Sequence, residues 1–556
     1  MIGVVADRTS ASDYNDDMSR AKSLGIDAFA LNIGIDDYTD EQLGYAYDSA
    51  ANNGMKVFLS FDFNWFSTSQ APDIGAKIAQ YGSKAAQLKV GDNGDQVFVS
   101  SFRGDGLDVD VVRSSAGMPL FFAPNFEASN VASVDAALNW IAWPNNGNNK
   151  APSAGSNITV KEGDDAYTSA LAGKPYIAPA SPWFSTHYGP EVSYSKNWIF
   201  PADLLWYNRW AEILDLAPQY VEIITWNDYG ESHYIGPLSS PHVDDGGSKW
   251  VNDMPHDGWL EMAKPFIAAY KAGSTSVGDY ITDDQIIYWY RPSLKSASCD
   301  STDNTAKPAN VDTGNYFQGI PNGADEVADS VFVVALLTEA GTVEVTSGSN
   351  HNSFNAQAGA NAFAVDMGTG QQSFSLKRGG TTVLSGTSLK EISDGCVCGI
   401  YNFNAYVGTL PAGPSDPLRS PDGFANFVDG LAPGICEPRP SLGTAPLVAP
   451  AITSSPSPKT QSRPSTDIQA SMASSKLSIA TSSASAPSIA TPIPLIATSS
   501  SPVPTPMTST APTTTQPDGT TPITALSQLY PTNCLQATQI WAGPAGSDSP
   551  ARCDSS

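Results

Sequence analysis

The stretch "AFALNIGIDDYTDEQLGYAYDSAANNGMKVFLSFDF" (28–63) holds two apolar runs separated by a segment of mixed polarity. The flanking runs, 28–34 and 56–63, are almost continuously apolar, which is typical of strands buried on both faces. The segment between them opens at Thr39 and closes at Gly54, residue types that often begin and end helices. A strand, a helix and a second strand in this order predict two parallel strands joined by a crossover helix.

The same alternation continues over the first 275 residues. Further apolar runs follow at 96–102, 119–126, 175–184 and 220–228, and amphipathic helical stretches lie between several of them. Together with "GVVA" near the start, these runs predict a (β/α)8 barrel, an α/β fold of the TIM type. A doubly wound open sheet is the alternative, but no Gly-rich phosphate-binding turn follows the first strand.

The remainder of the chain changes character twice. Residues 276–436 contain short alternating strands such as "GTVEVTSG" and "QSFSLKRGG" between turn residues, which predict an all-β sandwich domain. Residues 437–525 are rich in Ser, Thr and Pro, a composition that predicts a disordered linker. A short Cys-containing tail, 526–556, completes the predicted domain organisation, with residues 1–275 as its catalytic barrel.

All six cysteines lie in the second half of the chain. Four of them fall in the predicted sandwich domain, so we expect one or two disulfide bonds there. The other two lie in the tail, where they could close a small loop. The six are Cys299, Cys396, Cys398, Cys436, Cys534 and Cys553.

The composition of the chain indicates which classes of binding partner to expect. The chain has 556 residues and a net charge of −27, and an acidic surface of this kind repels the phosphate backbone of a nucleic acid. No run of about eighteen apolar residues is present, so we expect no membrane-spanning helix and no membrane partner. The 12 Trp and 21 Tyr are compatible with a carbohydrate ligand, and we expect a monomer.

Polar and aromatic residues follow the ends of the predicted strands, where a barrel of this class carries its active site. Several carboxylates should therefore converge on one mouth, with aromatic rings between them. Glycoside hydrolysis requires two carboxylates, one protonated and one ionised. The residues at these strand ends are Asp62, Asn64, Trp65, Ser101, Arg103, Asp105, Asn125, Glu127, Trp183, His187, Tyr188, Asp228, Glu231 and His233.

Asp228 and Glu231 are the most closely spaced pair of acids at the predicted mouth. In a straight strand they would lie about 10 Å apart on opposite faces. Gly230 lies between them and can bend the chain so that both side chains point inward. Such a bend would bring their separation towards the roughly 6.5–9.5 Å of inverting glycosidases.

Several of these residues have a structural alternative. Asp228 could be a helix cap or a loop acid, and Asp62, flanked by aromatic residues, could form an ion pair with Arg103. His187 and His233 are more often scaffold residues or sugar contacts than catalysts. Three aromatic residues of the predicted mouth could equally lie in the core: Trp65, Trp183 and Trp226.

Other chemistries lack their sequence signals. No HxH, HExxH or CxxC motif supports a metal site, and we predict neither a metal nor a cofactor. No GxSxG motif is present and the predicted barrel contains no cysteine, which disfavours nucleophilic Ser or Cys catalysis. Lys174 and Lys196 could be Schiff-base lysines of an aldolase, but neither lies within a strand run.

Five long motifs, in this order, resemble glycoside hydrolase family 71, the fungal α-1,3-glucanases or mutanases. The resemblance covers roughly residues 1–430, including "CVCGIYNFNAYVG" in the predicted sandwich domain. The motifs are "SRAKSLGIDAFALNIG", "FLSFDFNWF", "RGDGLDVDVVRSSAGMPLFFAPNFEAS", "SPWFSTHYGPEVSYSKNWIF" and "ITWNDYGESHYIGPL".

The resemblance implies endo-acting, inverting hydrolysis of α-1,3-glucan on a barrel with an attached β-sandwich. The catalytic acids of the family match Asp62 in "SFDF" and Asp228 and Glu231 in "NDYGES". We expect Glu231 to be the general acid and Asp228 the base, with Asp62 orienting the attacking water or sharing that role. The residues expected to bind the glucan are Trp65, Arg103, Asn125, Glu127, Trp183, His187, Trp226, His233 and Tyr234.

The start of the chain departs from the family pattern. Members usually carry a signal peptide and then a first strand of the type "VFAHFMIG", whereas this chain begins "MIGVVAD". We therefore expect Met1 to be an internal methionine of that strand, the N-terminus to be incomplete, and the protein to be secreted or held in the cell wall. If the protein starts at Met1, barrel closure and secretion are both in question.

Two other functions remain open from the sequence. The first is a non-catalytic carbohydrate-binding protein of the cell wall, built on an inactive barrel; the presence of all three acids argues against it. The second is a barrel glycosidase with a different linkage specificity.

Overall fold

The computed structural model describes residues 1–145, 157–188, 196–240, 248–251, 253–303 and 319–413. All of them belong to one compact unit, Met1–Ser457. The predicted linker, the predicted tail and three of the cysteines (Cys436, Cys534 and Cys553) lie outside the described residues. Within the described ranges, no helix combines the length and the apolar composition needed to cross a membrane.

The described chain is an α/β protein with several sheets. Its helices are α1 (Asn15–Ser23), α2 (Thr39–Asn53), α3 (Ala71–Tyr81), α4 (Val109–Ala116), α5 (Val160–Leu171), α6 (Leu205–Leu216), α7 (Ser248–Val251) and α8 (Asp257–Lys271). The strands of the first part are β1 (Ala28–Ile33), β2 (Lys56–Asp62), β3 (Lys89–Val90), β4 (Gln96–Phe102), β5 (Leu120–Phe122), β6 (Ala137–Leu138), β7 (Tyr176–Ala180), β8 (Ser185–Tyr188), β9 (Lys196–Ile199) and β10 (Tyr220–Ile223). Short 3-10 helices cover Ala11–Tyr14, Thr68–Gln70, Ala128–Ser133, Gly278–Tyr280, Ala324–Glu326 and Val397–Gly399.

The predicted parallel arrangement is confirmed. Strands β1, β2, β4 and β5 pair in parallel in that order, with β3 added antiparallel to β4. Strands β10, β7 and β6 form a second parallel sheet. Each of the six apolar runs contains one of these parallel strands, because a strand covered on both faces needs apolar side chains throughout.

Backbone hydrogen bonds join the two parallel sheets on both sides. The N-terminal segment Met1–Val4 lies next to β1, with Ile2 donating to Ala30 O at 2.8 Å, and Trp226 N donates to Met1 O at 2.7 Å just beyond β10. On the other side, two bonds of 3.0 Å connect the residues around β5 to β6, Asp135 N to Phe122 O and Leu138 N to Pro124 O.

The helices cover the parallel strands with small and apolar residues. In α2, Leu43, Ala46 and Ala50 are all buried at helical spacing, so one face packs against the sheet. The helix ends as predicted at Gly54, which takes the left-handed conformation with φ 65°. This φ is unfavourable for a residue with a Cβ atom, which explains the glycine at this position.

The second part of the chain is antiparallel. Its strands are β11 (Gln285–Tyr290), β12 (Ser330–Leu337), β13 (Gly341–Ser347), β14 (Asn350–Ala356), β15 (Gly359–Asp366), β16 (Gln372–Arg378), β17 (Thr381–Thr387) and β18 (Tyr406–Leu410). They form two four-stranded sheets, β15-β12-β11-β18 and β14-β13-β16-β17. Side chains from both sheets meet in one apolar cluster, where the rings of Tyr288 and Phe374 stack at 3.9 Å.

A disulfide bond joins Cys299 to Cys396 across 97 residues of sequence. This bond confirms the expectation of a bridge within the region predicted as the sandwich domain.

The parallel and antiparallel parts share a continuous core. One apolar cluster includes Trp183 and Trp259 from the first part and Trp289 and Phe403 from the second. Trp183 Nε1 donates to Phe403 O at 2.9 Å, and Trp289 Nε1 donates to Asp203 O at 2.9 Å. The antiparallel part therefore supports the segments that follow β7 and β9.

Candidate active site

The predicted acids Asp228 and Glu231 lie on a loop that folds back on itself after β10. Thr225 N donates to His233 O at 2.9 Å, and Ile235 N donates to Thr225 O at 3.1 Å. Residues 226–233, which we call the acid loop, therefore leave the sheet and return beside their starting point. The predicted strand 220–228 is shorter than expected, because β10 ends at Ile223 and these bonds replace further pairing.

The acid loop bends sharply between Asp228 and Ser232. Glu231 N donates to Asp228 Oδ1 at 3.1 Å, and Asp228 N donates to Thr225 Oγ1 at 2.9 Å. Ser232 N donates to Tyr229 O at 3.1 Å, and Ser232 takes the left-handed conformation with φ 60°. The carboxylate of Asp228 thus helps to close the turn, in the manner of an Asx-turn, and the bending role of Gly230, which lies inside the turn, stays a prediction.

Asp228, Glu231 and His233 converge. His233 Nε2 lies 2.9 Å from Glu231 Oε2 and 3.6 Å from Asp228 Oδ2, and one side-chain atom of each residue falls within 4.8 Å of the other two. The two carboxylates are therefore closer than the roughly 6.5–9.5 Å expected of an inverting pair. The turn closed by Asp228 holds them together, which corrects the predicted spacing.

The same three groups form a set of oxygen and nitrogen donors that a cation could bind. The 2.9 Å contact between Nε2 and Oε2 is that of a hydrogen bond, which uses a lone pair that a metal ion would require. We therefore interpret the group as a hydrogen-bonded acid cluster.

Asp62 ends strand β2. Asn32 Nδ2 on β1 donates to its Oδ2 at 3.3 Å, and Asn64 N donates to its Oδ1 at 2.8 Å. Burial raises the pKa of Asp62 above its ordinary value, while these hydrogen bonds and the charge of Arg103 oppose the rise. Arg103 is exposed, and within the described ranges no ion pair joins it to Asp62.

Strand β1 and the N-terminal segment separate Asp62 from the acid loop. Asn32 N donates to Ile2 O at 3.1 Å, so this segment lies beside β1. Gly3 N donates to Asn227 Oδ1 at 2.9 Å, and a Cβ atom built on Gly3 would lie 3.4 Å from Cβ of Asp228. Asn227, which is fully buried, thus anchors the acid loop to the N-terminal segment.

A cavity of about 590 Å³ opens at the ends of β2, β4 and β5. It brings together three of the residues predicted to bind substrate, Arg103, Asn125 and Glu127. Trp140 and Tyr167 also line it, and sequence reasoning missed both because neither follows a predicted strand. Aromatic walls with a few polar groups are typical of carbohydrate sites.

Trp65 is exposed three residues beyond the end of β2. Its side chain is 46% exposed, and a Cβ atom built on Gly34 would come within 3.2 Å of its ring. The indole therefore rests against the backbone after β1 and leaves a ring face available for stacking.

Four other residues predicted to bind substrate are buried. Trp226 Nε1 donates to Asp17 Oδ1 at 3.0 Å, and Tyr234 stacks on His256 at 3.8 Å while its hydroxyl donates to Met254 O. We assign all four to the core rather than to the substrate surface. The three large aromatic side chains gain free energy from packing away from water, and the buried His187 lies with Nδ1 3.7 Å from Oδ2 of buried Asp303. The four are Trp183, His187, Trp226 and Tyr234.

The model of glycosyl hydrolase family 71 matches residues 1–419. The chain belongs to glycosyl hydrolase family 71. It is therefore a glycoside hydrolase, and the resemblance of its motifs to this family is confirmed.

Three curated relatives extend the comparison. A mutanase of Penicillium rubens is 42% identical over 421 residues, covering 74% of this chain and 88% of its own. A glucan endo-1,3-alpha-glucosidase of Schizosaccharomyces pombe is 36% identical over 425 residues, covering 72% and 91%. An ascus wall endo-1,3-alpha-glucanase of the same yeast is 26% identical over 426 residues, covering 71% and 92%.

Among solved structures, a GH99 endo-alpha-mannosidase of Bacteroides thetaiotaomicron aligns with a TM-score of 0.36 and 13% sequence identity. The alignment covers 48% of this chain and 80% of the mannosidase.

Proposed function

We propose that this family 71 protein hydrolyses α-1,3-glucan internally, with Glu231 as general acid and Asp62 as general base. The observation that carries the proposal is the cluster of Asp228, Glu231 and His233 on the acid loop, which places two carboxyl groups together just beyond the carboxyl end of β10. Two relatives named for endo-1,3-alpha-glucan hydrolysis or as a mutanase support the substrate, since this chain spans 88% and 91% of their lengths.

Glu231 suits the acid role because of its two neighbours. Asp228 closes the turn that carries Glu231, and His233 Nε2 lies 2.9 Å from Glu231 Oε2. The side chain of Glu231 is 16% exposed against 28% for Asp228, and burial favours the neutral form of a carboxyl group. We assign to Glu231 the protonation of the leaving glycosidic oxygen.

Asp62 suits the base role because it lies farther from the acid. Strand β2, which carries Asp62, is separated from the acid loop by about three strand spacings. At the usual 4.8 Å each, this is roughly 14 Å along the sheet, and side chains that point inward bring the carboxyl groups closer than the backbones. Inverting glycosidases hold their two carboxyl groups roughly 6.5–9.5 Å apart, with room for a water molecule, and we propose that Asp62 and Glu231 approach this separation. Burial raises the pKa of Asp62, which makes the ionised group a better proton acceptor.

We also propose that the eight parallel segments close into a (β/α)8 barrel over residues 1–275, followed by a β-sandwich over 276–436. The segments are Met1–Val4, β1, β2, β4, β5, β6, β7 and β10, and hydrogen bonds link each to the next. The two antiparallel sheets that share one apolar cluster support the sandwich. The linker 437–525 and the tail 526–556 stay predictions.

Secretion, or retention in the cell wall, fits the same proposal. A disulfide bond such as Cys299–Cys396 persists in an oxidising compartment, and one relative is named an ascus wall glucanase. We propose that the protein acts there as a monomer on its polysaccharide, without nucleic-acid or membrane partners. Separating culture fluid, wall and cell contents of the producing organism, and probing each with an antibody, tests this location.

Incubation with a panel of glucans tests the proposed function. The purified protein should release reducing ends from insoluble α-1,3-glucan, and early products should be oligosaccharides of mixed length, as expected of an internal cleavage. Glu231→Gln should release almost none, which controls for contaminating glucanases. An active wild type that cleaves only α-1,4- or β-1,3-glucan would contradict the substrate proposed.

A further inference from the structure

We propose that His233 is a positioning residue that fixes the proton-donating carboxyl group of Glu231, and that it makes no contact with the glucan. The inference rests on the proposed function and assigns His233 a different role from that of a sugar-binding residue.

His233 is fully buried and packs against two aromatic rings. Its exposed fraction is 0%, and the ring lies 5.3 Å from that of Trp143 and 5.7 Å from that of Phe184. The Phe184 ring is nearly parallel to the imidazole, at 17°. A glucan chain in the mouth therefore cannot reach this side chain.

These two aromatic rings are themselves fixed. Trp143 Nε1 donates to Trp183 O at 2.8 Å, and Phe184 packs against Phe200 at 4.4 Å in a cluster that also contains Ile224. The backbone of His233 is held as well, because its carbonyl oxygen accepts a bond from Thr225 N. The imidazole is thus locked in place before any substrate arrives.

The ring contacts the acid cluster through Nε2. This nitrogen lies 2.9 Å from Glu231 Oε2 and 3.6 Å from Asp228 Oδ2. Holding Oε2 determines the plane of the Glu231 carboxyl group, and hence the direction in which Oε1 can meet the glycosidic oxygen. General acid catalysis depends on this alignment, because small errors in position are costly in rate.

A residue that acts through the acid has a distinctive kinetic effect. Its loss should lower kcat and leave KM nearly unchanged, since ground-state contacts with the sugar are intact. The loss of such a residue should have little effect on a substrate whose leaving group departs without a proton, because alignment of the acid then contributes nothing to the rate. A residue needed only for folding would affect both substrates equally.

The test compares two variants on two substrates. His233→Phe keeps a ring between Trp143 and Phe184 but removes the nitrogen, whereas His233→Gln returns an amide near the position of Nε2. We expect His233→Phe to lower kcat on α-1,3-glucan by about 10- to 100-fold with little change in KM, and His233→Gln to recover part of the loss. On an α-1,3-oligoglucosyl fluoride, both variants should stay within about threefold of the wild type.

Tyr270→Phe is the matched control. It removes a tyrosine hydrogen bond on helix α8, outside the acid loop, from Tyr270 Oη to Pro218 O at 2.7 Å. It should leave both activities unchanged.

Three outcomes would overturn the inference. A raised KM with unchanged kcat in His233→Phe would make His233 a sugar contact, and equal losses on both substrates would make it merely structural. If the wild type releases no reducing ends from α-1,3-glucan, the proposed function itself falls and this inference falls with it. The wild-type result therefore distinguishes failure of the proposed function from failure of the inference alone.

Discussion

Asp62, Asp228 and Glu231 have different surroundings, and these surroundings support the different roles proposed for them. Asp228 uses one carboxylate oxygen to close the turn that carries Glu231, and one oxygen of each acid lies within 4.8 Å of the other. Asp62 stands apart on β2, held by N–H donors from Asn32 and Asn64. At this scale the chemistry depends on distances that a sequence does not contain.

Neutralising each acid in turn should separate the three roles. Glu231→Gln and Asp62→Asn should each lower kcat by roughly 10²- to 10⁴-fold, because each removes a proton-transfer step. Asp228→Asn should lower kcat less, since an amide oxygen can still accept the turn-closing bond from Glu231 N. Reducing-end assays at fixed pH measure the losses, and azide should rescue only Asp62→Asn. Rescue of Asp228→Asn instead would assign the base to Asp228.

Asn32→Ala should shift the pH dependence of kcat/KM. The amide of Asn32 stabilises ionised Asp62, so its removal should raise the pKa of Asp62 further. Because the base must be ionised, activity falls as the pH drops through that pKa, and the acidic limb of the profile should move to higher pH. Asn52→Ala, at an exposed position of α2, is the control and should leave the profile unchanged. An unshifted limb in Asn32→Ala would remove Asp62 from the role of base.

The identities of the three acids could be predicted from the motifs "SFDF" and "NDYGES", but their division of labour could not. The separation of Asp228 and Glu231 depends on a turn closed by a side chain, whereas the strand geometry placed them farther apart. The sequence also does not show which of these side chains are buried. Trp65 is exposed and Trp226 is in the core, although both lie near the end of an apolar run. Which way a side chain points at a strand end is decided by neighbouring elements.

At the scale of elements, helix α1 stabilises the acid loop through a hydrogen bond between Asp17 and Trp226. Asp17 on this helix accepts a bond from Trp226 Nε1 at 3.0 Å and another from Ser240 Oγ, and it pairs with Arg8 at 3.1 Å. Both members of the ion pair are almost completely buried. The position of the acid loop therefore depends on a charge that is compensated inside the protein.

Removing that charge should destabilise the protein more than an ordinary substitution. We expect Asp17→Ala to lower the free energy of unfolding by about 3–5 kcal/mol, because Arg8 would be left buried without its partner. Asp16→Ala, at the exposed neighbouring position, should change it by no more than about 0.5 kcal/mol. Urea denaturation followed by tryptophan fluorescence compares the two, and equal stabilities would contradict the account.

The alternation of strands and helices was predictable from the sequence, because apolar runs of strand length alternate with amphipathic helical stretches. The end of β10 was not, since "YVEIITWND" continues as an apolar run although the strand stops at Ile223. The chain turns there because Thr225 pairs with His233 and Ile235, residues that come later in sequence. Contacts of this kind leave no periodic signal.

At the scale of the whole molecule, the parallel and antiparallel parts meet around His256. This histidine is buried, and its ring nitrogens lie 2.8 Å from Tyr234 O and 2.9 Å from Ala405 O. Tyr234 directly follows the acid loop, and Ala405 precedes β18. The two parts should therefore unfold together, although composition alone divides them near residue 275.

The stability of this junction should depend on pH. Burial lowers the pKa of His256 to about 3, against 6.5 for a free imidazole. Above pH 6.5 the residue is neutral in both states, so its contribution is complete; as the pH falls towards 3, only the unfolded chain takes up the proton and stability is lost. The loss from this group should reach about 3 kcal/mol at pH 4.5. Denaturation of the wild type and His256→Gln at pH 7 and 4.5 measures it, and equal pH dependence in both would be inconsistent with this role.

The stereochemistry of the first product tests the central claim most directly. If Glu231 and the more distant Asp62 cleave the bond, proton NMR recorded within the first minutes of α-1,3-glucan hydrolysis should detect new reducing ends as the β-anomer, followed by slow mutarotation. Initial release of the α-anomer would mean retention. It would indicate that the closely spaced Asp228 and Glu231 are the working pair, and it would contradict the account.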